Sequence, residues 1–434
     1  GFSRTDVQDP QERRLQLYDA LVTALAKGQW DGDRDSLPQQ PDPRDWSFIA
    51  AERHTCTARH CPRFRDCSYY NARTQLTQAQ VIVANHDLVL ASLGMKALPE
   101  LDNCLLVFDE GHHLPAVALD QFSSAMDLSG LRWVDQLPKV LHEVAQRMGV
   151  TIVQDVSTLA VQLKTALLDL GRIAMDLIRA ASSGYDTVHR FNLGVLPDHL
   201  VEPVALIHGH ARALSEALDA LGSELKNRAK EDPTQAADCA VLYARLGQMA
   251  PKIGSVVSTC SMLLANDSPP MAKWLRSDTS SGLVALSAHA CPIVPGDLLS
   301  RHLWAHVRGA VITSASLSSC ASFDYFLQET GLNAWPHVST LAVDSPFDYA
   351  TQGQLVVVET RADPRQADAY TQEMIAALMA DLRLVNRGAL VLFTSRAQMQ
   401  AAVDALHDQR AQHRAQDRAT ATGQRGTADD GRRD

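Results

Sequence analysis

The sequence predicts an α/β protein, an open and mainly parallel sheet interrupted by a long helical insertion. Three observations predict it. Short apolar runs such as Cys104-Leu105-Leu106-Val107-Phe108 and Ala310-Val311-Ile312 end directly on acidic or small polar residues. Strands buried on both faces of a parallel sheet need such runs, and ligands sit beyond their carboxyl ends. Between about 120 and 300 helical spacing takes over, with Leu163, Leu167, Leu170, Ile173 and Leu177, then Leu214, Leu218, Leu221 and Leu225, recurring every three or four residues. Finally, three of the eight cysteines, Cys56, Cys61 and Cys67, fall within twelve residues. Without a secretory leader that spacing reads as a metal or cluster site sooner than as disulfides.

Composition bounds the rest. A length of 434 residues, 46% of them hydrophobic and 21% charged, is ordinary for a soluble chain of two to four domains. The net charge of −10 excludes a histone-like basic coat but not a local basic groove. No run approaches the roughly 18 apolar residues of a membrane span. The start, Gly-Phe-Ser-Arg-Thr-Asp, has neither a signal peptide nor an initiator Met, so the chain is expected to begin inside a longer protein.

The elements follow in order. Residues 11–27 read as a helix, and Asp31 to Asp45, with Pro38, Pro41 and Pro43, as a loop. The cysteine segment spans about 53–73. Strands are expected at 81–84 and 104–108, then at 310–312, 355–358 and 389–393, with helices filling the interval from 120 to 300. The last stretch, 411–434, has almost no large apolar residue and is expected to be disordered.

Asp109-Glu110-Gly111-His112 is the sharpest chemical signal. A carboxylate at a strand end can hold Mg²⁺ through its water shell, and the next can orient and deprotonate an attacking water. On four residues alone, a capped loop with two surface acids is the simpler reading. Around the cysteines, Arg59, Arg63, Arg65 and Arg73 alternate with Phe64, Tyr69 and Tyr70. Arg neutralises phosphates and aromatic rings stack on bases, the combination used on single strands; a solvated Arg-rich loop is the plain alternative. Asn85 fits a turn cap. His54 and His60 keep a mixed Cys/His zinc site open.

Residues 81–118, with Leu-Leu-Val-Phe-Asp-Glu-Gly-His-His-Leu-Pro at their end, resemble the DEAH-box region of DinG-type helicases, relatives of the XPD-like iron–sulfur helicases of superfamily 2. Val311-Ile312-Thr313-Ser314-Ala315-Ser316-Leu317 is similar to helicase motif III, with Ser316 where Thr is usual. Leu341 to Asp348 and the Val391 to Ser395 run resemble the entry to the second motor domain. The resemblance implies a RecA-like parallel sheet, the P-loop NTPase helicase core, incomplete at both ends. Its implied domains are an iron–sulfur segment (1–75), part of the first motor domain (76–119), an all-helical arch (120–300), a return with motif III (301–345), the start of a second motor domain (346–410) and the disordered tail (411–434).

The same resemblance implies the site. Asp109 would bind Mg-ATP and Glu110 would act as base, with His112, Thr313 and Ser314 beside the nucleotide. Cys56, Cys61 and Cys67 would ligate a [4Fe–4S] cluster whose fourth ligand lies upstream. Arg59, Arg63, Arg65 and Tyr69 would touch DNA. The implied activity is ATP-dependent 5′→3′ DNA unwinding by a cytoplasmic, nucleoid-associated monomer that loads on a single-stranded region, with no membrane partner. The sequence contains no Gly-Lys dipeptide, hence no phosphate loop, and no Gln-x-x-Gly-Arg-x-x-Arg motif. This chain alone is therefore expected not to turn over ATP, and a non-catalytic metal-containing nucleic-acid-binding module is the alternative.

Overall fold

The computed structural model describes residues 10–95, 98–181, 187–266, 271–278, 284–386 and 388–407. It divides into two compact units, residues 1–340 and 341–434.

In the first unit the expected runs at 104–108 and 310–312 become strands β1 (Leu105–Phe108) and, at the far end of the unit, β6 (Gly309–Ile312). They pair in parallel, Leu105 against Gly309 through Phe108 against Ile312. Leu90, Phe108, Leu114, Ala118, Leu299, Leu303 and Trp304 form the core behind β1. Trp304 meets Phe108 edge to face at 5.9 Å, and its indole N–H donates to the Thr330 carbonyl at 2.7 Å. This fixes one face of the β1–β6 pair.

The opposite face carries Leu105 and Val107, 74% and 70% exposed. Three expected strands are absent: 81–84 in this unit, and 355–358 and 389–393 in the second, are without regular structure. A strand exists only where a neighbour completes its ladder. Among the described residues those segments make no backbone hydrogen bond, and their apolar side chains stand in solvent (Val83 94%, Leu355 90% exposed).

The interval between β1 and β6 also corrects the all-helical expectation. It contains strands β2 (Ser124–Asp127), β3 (Thr187–Arg190), β4 (Met271–Asp278) and β5 (Ala285–Pro292). They form an antiparallel sheet in the order β2-β5-β4-β3. Helices Arg132–Met148, Val156–Ala181, Asp198–Glu231, Ala236–Gly247 and Ala250–Leu264 share one core with it. The Leu214, Leu218, Leu221 and Leu225 stripe is buried as its spacing predicts. On Val156–Ala181 the stripe holds at Leu163, Leu167 and Leu170. Past there the fully buried positions are Ala174 and Ile178, while Ile173 and Leu177 are only partly covered.

Toward the start of the chain, the predicted helix at 11–27 is Pro10–Ala26. The loop after it holds two single turns, Arg34–Ser36 and Pro43–Trp46. The cysteine segment is two 3-10 turns, Ala58–His60 and Phe64–Asp66, followed by helix Ser68–Leu76. It lies on the insertion at Gly247, where the His54 carbonyl occupies the space a Cβ would need. The second unit contains helix Ala367–Leu384 and another at 396–407. The tail expected to be disordered lies outside the described residues.

Candidate nucleotide site and cysteine segment

The end of β1 is held to the end of β6 by a continued ladder. Thr313 N–H donates to the Phe108 carbonyl at 2.8 Å, and Gly111 N–H donates to the Thr313 carbonyl at 2.9 Å. The two chain segments are about two hundred residues apart, yet these bonds bring the acidic and hydroxyl pairs together. Gly111 is buried against β6, and a Cβ there would strike the Ile312 γ2 methyl. Only a residue without a side chain lets the loop lie this close to the strand.

The side chains then interlock. Thr313 Oγ1 donates to Asp109 Oδ1 at 3.2 Å, and Ser314 Oγ donates to Glu110 Oε2 at 3.1 Å. His112 Nδ1 lies 2.7 Å from Ser314 Oγ and 3.2 Å from Glu110 Oε2. With its proton given to Glu110, the Ser314 oxygen accepts from His112 Nδ1–H and from the Ser316 N–H at 3.3 Å. One hydroxyl thus uses its whole capacity. Glu110 itself stands at φ 50, ψ 43, a left-handed conformation that costs a non-glycine residue about 1–3 kcal/mol. The carboxylates remain open to solvent at the sheet's edge, where strand-end ligands bind. All five residues singled out in the sequence for this site are gathered. Ile312, whose methyl sets the loop height, was missed because it reads as an ordinary strand residue.

The cysteine segment is arranged differently from expectation. Cys56, Cys61 and Cys67 are free, half-buried thiols. Cys56 Sγ accepts the Ala58 N–H at 3.4 Å and a hydrogen bond from Tyr70. Burial first, and then Cys56, push the Tyr70 phenol up to about 12. The donor chemistry suits an iron–sulfur cluster, and the Cys56 turn carries backbone strain and an unsatisfied hydroxyl. Ala58 is left-handed at φ 54, and the buried Thr57 hydroxyl has no partner among the described residues. The arrangement itself does not fit: among the described residues no three Cys, His, Asp or Glu side chains are gathered to hold a metal, with or without His54 and His60.

Beside the cysteines lies a cavity of about 410 Å³, lined by Arg59, Phe64, Tyr70, Arg73, Leu98 and Pro99, among others. Phe64 and Tyr70 pack at 4.5 Å between ring centres, and the Arg73 guanidinium lies 6.0 Å from the Tyr70 ring. Of the four residues expected to touch DNA, only Arg59 lines this cavity. Arg63 reaches Asp66 at 4.0 Å, Arg65 is exposed, and Tyr69 stands edge-on to Tyr70 at 5.2 Å. Asn85 does cap: its Oδ1 accepts the Leu88 N–H at 2.8 Å at the start of helix His86–Met95.

An Asp–Glu pair closing one parallel strand is thus bonded to a Thr–Ser pair closing its neighbour. The DEAD_2 family model matches residues 57–131. The chain is 29% identical to the ATP-dependent DNA helicase DinG of Photobacterium profundum, over 92% of this chain and 58% of that one. It is 30% identical to DinG of Escherichia coli (strain K12), over 93% of this chain and 57% of that one. For DinG of Salmonella typhimurium the identity is 30%, over 88% and 55%. The chain is a homologue of the DinG-type helicases and spans somewhat over half the length of these relatives.

Proposed function

We propose that this chain is the central part of a DinG-type, ATP-dependent helicase that moves 5′→3′ on single-stranded DNA. The junction of Asp109 and Glu110 with Thr313, Ser314 and His112 carries the reading. A bound Mg²⁺ would neutralise charge on the nucleotide phosphates. Asp109 would orient the metal's waters, with the Thr313 hydroxyl fixing its carboxylate. Glu110 would take a proton from the attacking water, and Ser314 would hold that carboxylate in place. His112 would sense its state, since one Ser314 oxygen touches both. No Gly-Lys dipeptide occurs in the chain, so in this reading the phosphate loop and its Lys would be supplied by further chain.

Cys56, Cys61 and Cys67 are the proposed thiolate ligands of a [4Fe–4S] cluster, with a fourth ligand supplied by further chain. The segment would have to close from its described arrangement to bind it, and a brown protein with acid-labile sulfide after anaerobic purification tests this. Arg59, Arg63, Arg65 and Tyr69, joined now by Arg73 and Tyr70, are the proposed DNA contacts. Loading on a single-stranded region, a monomeric state and a cytoplasmic, nucleoid-associated location belong to the same reading. Among the described residues no helix is long and apolar enough to cross a membrane. The decisive experiment is DNA-stimulated phosphate release. The parent protein releases phosphate and this chain alone does not; release by the chain alone, or none by the parent, overturns the reading. The missing phosphate loop favours one further reading for the isolated chain, a non-catalytic binding module.

A further inference from the structure

The antiparallel sheet of the insertion has two faces of different chemistry. Met126, Leu275, Leu286, Ala288 and Ala290 point inward into the helical core. Residues of the other parity point outward, and the register lines three of them up across three strands: His289 on β5, Trp274 on β4 and Arg190 on β3. The Trp274 and His289 rings are parallel within 4° at 5.0 Å. Ser287 Oγ lies 2.8 Å from His289 Nε2 and fixes the imidazole. His289 covers one face of the indole, and exposed Arg190 is the register partner of Trp274 on β3. Arg276, also exposed, sits one outward position further along β4, opposite Ser287. The row ends at Cys291, whose thiol donates to the Leu119 carbonyl at 3.7 Å.

An indole held by a stacked imidazole, with exposed guanidiniums at neighbouring outward positions, suits a flat apolar group that carries negative charge. A nucleobase with its phosphates has that chemistry, since the base stacks on an aromatic ring while the phosphates meet the guanidiniums. We propose that the outer face of the β2-β5-β4-β3 sheet is a second surface for single-stranded DNA, where a base stacks on Trp274 and Arg190 and Arg276 take the adjoining phosphates. It is separate from the cavity at Arg59 and Tyr70 and does not depend on ATP turnover.

The test is fluorescence anisotropy of a labelled oligothymidylate with the full chain across a salt series. Trp274→Ala weakens binding about fivefold or more, while Trp274→Phe, which keeps a stacking ring, stays within about twofold. The Arg190→Gln/Arg276→Gln pair lowers the slope of log affinity against log salt by roughly 1.4, about 0.7 for each single-strand phosphate left without its guanidinium. Parental affinity in Trp274→Ala together with a parental slope in the Arg pair overturns the proposal. So does an equal loss in Trp274→Ala and Trp274→Phe. Should Trp274→Ala not fold, the slope of the Arg pair decides. An Arg59→Gln/Arg73→Gln variant separates the readings. If it alone loses binding, the sheet proposal fails and the DNA reading stands; if the unaltered chain does not bind, both fail.

Discussion

Gly111→Ala measures how tightly the candidate site depends on β6. The added Cβ meets only the Ile312 γ2 methyl at close range, with the Thr313 carbonyl at an ordinary 3.6 Å. Gly111 is not among the positive-φ residues, so alanine has no backbone penalty there. Overpacking at a buried position costs typically 1–3 kcal/mol, and replacing glycine recovers about 0.4–1 kcal/mol by restricting the unfolded chain. The net loss is on the order of 1 kcal/mol, a factor of about five in the local opening equilibrium. Hydrogen exchange reads it where it acts, at the Gly111 and Thr313 amides that bond to the Thr313 and Phe108 carbonyls. In an Ile312→Ala background the clash is gone, and Gly111→Ala becomes neutral or slightly stabilising. The coupling in this double-mutant cycle is therefore about 1–3 kcal/mol. Equal effects of Gly111→Ala in both backgrounds would refute the claim that the Ile312 methyl sets the loop height.

Glu110→Gln in the parent protein retains nucleotide binding, followed with a fluorescent ATP analogue, and loses phosphate release by two orders of magnitude or more. Turnover at the parental rate removes Glu110 as the base. For Asp127, burial raises the carboxyl pKa, but bonds from Gly130 and Ser129 N–H and from the Ser129 hydroxyl outweigh it and leave it below the ordinary 3.8. A depressed acid stabilises the fold above its unfolded value and loses that contribution as pH falls through the folded one. Asp127→Asn therefore lowers the melting temperature at pH 7 and matches the parent once both are well below 3.8; a pH-independent difference contradicts the charge argument. His289 is lowered from 6.5, by burial first and by Arg276 next. The unfolded chain takes up its proton earlier, so stability falls as pH drops below 6.5, and His289→Gln flattens that limb of a melting curve.

The candidate site was legible as an arrangement of residues because strand-end chemistry is local. A buried run closing on Asp109-Glu110 and another closing on Thr313-Ser314 announce where ligands sit, and the parallel pairing of β1 with β6 brings them together. Helical faces were legible by spacing, with drift along Val156–Ala181 because the 3.6-residue turn rotates a stripe of fixed heptad-like spacing. The sheet of the insertion was not legible. Its inward residues include Ala288 and Ala290, too small to show alternation, and Lys273, which is buried with its ammonium on the Ala265 carbonyl at 2.6 Å. A buried lysine inverts the pattern a strand is recognised by. The cysteines gave their residue type but not their geometry, since spacing along the chain does not fix how three turns meet.

The failed strands share one physical cause with the open face of β1. An apolar run specifies burial, but a strand also requires a neighbour's amides and carbonyls, and those come from elsewhere in sequence. At 81–84 exposure alternates along the run, Val81 and Val83 outward and Ile82 and Ala84 less so, as in a strand awaiting its ladder. The runs at 355–358 and 389–393 are apolar without any such neighbour among the described residues. The β1–β6 pair keeps its register because Phe108, Trp304 and Leu114 anchor one face and Gly111 bonds across its end. A two-stranded ribbon is marginal in water unless a packed face supports it. The candidate site is thus assembled on a two-stranded pair that its one covered face supports.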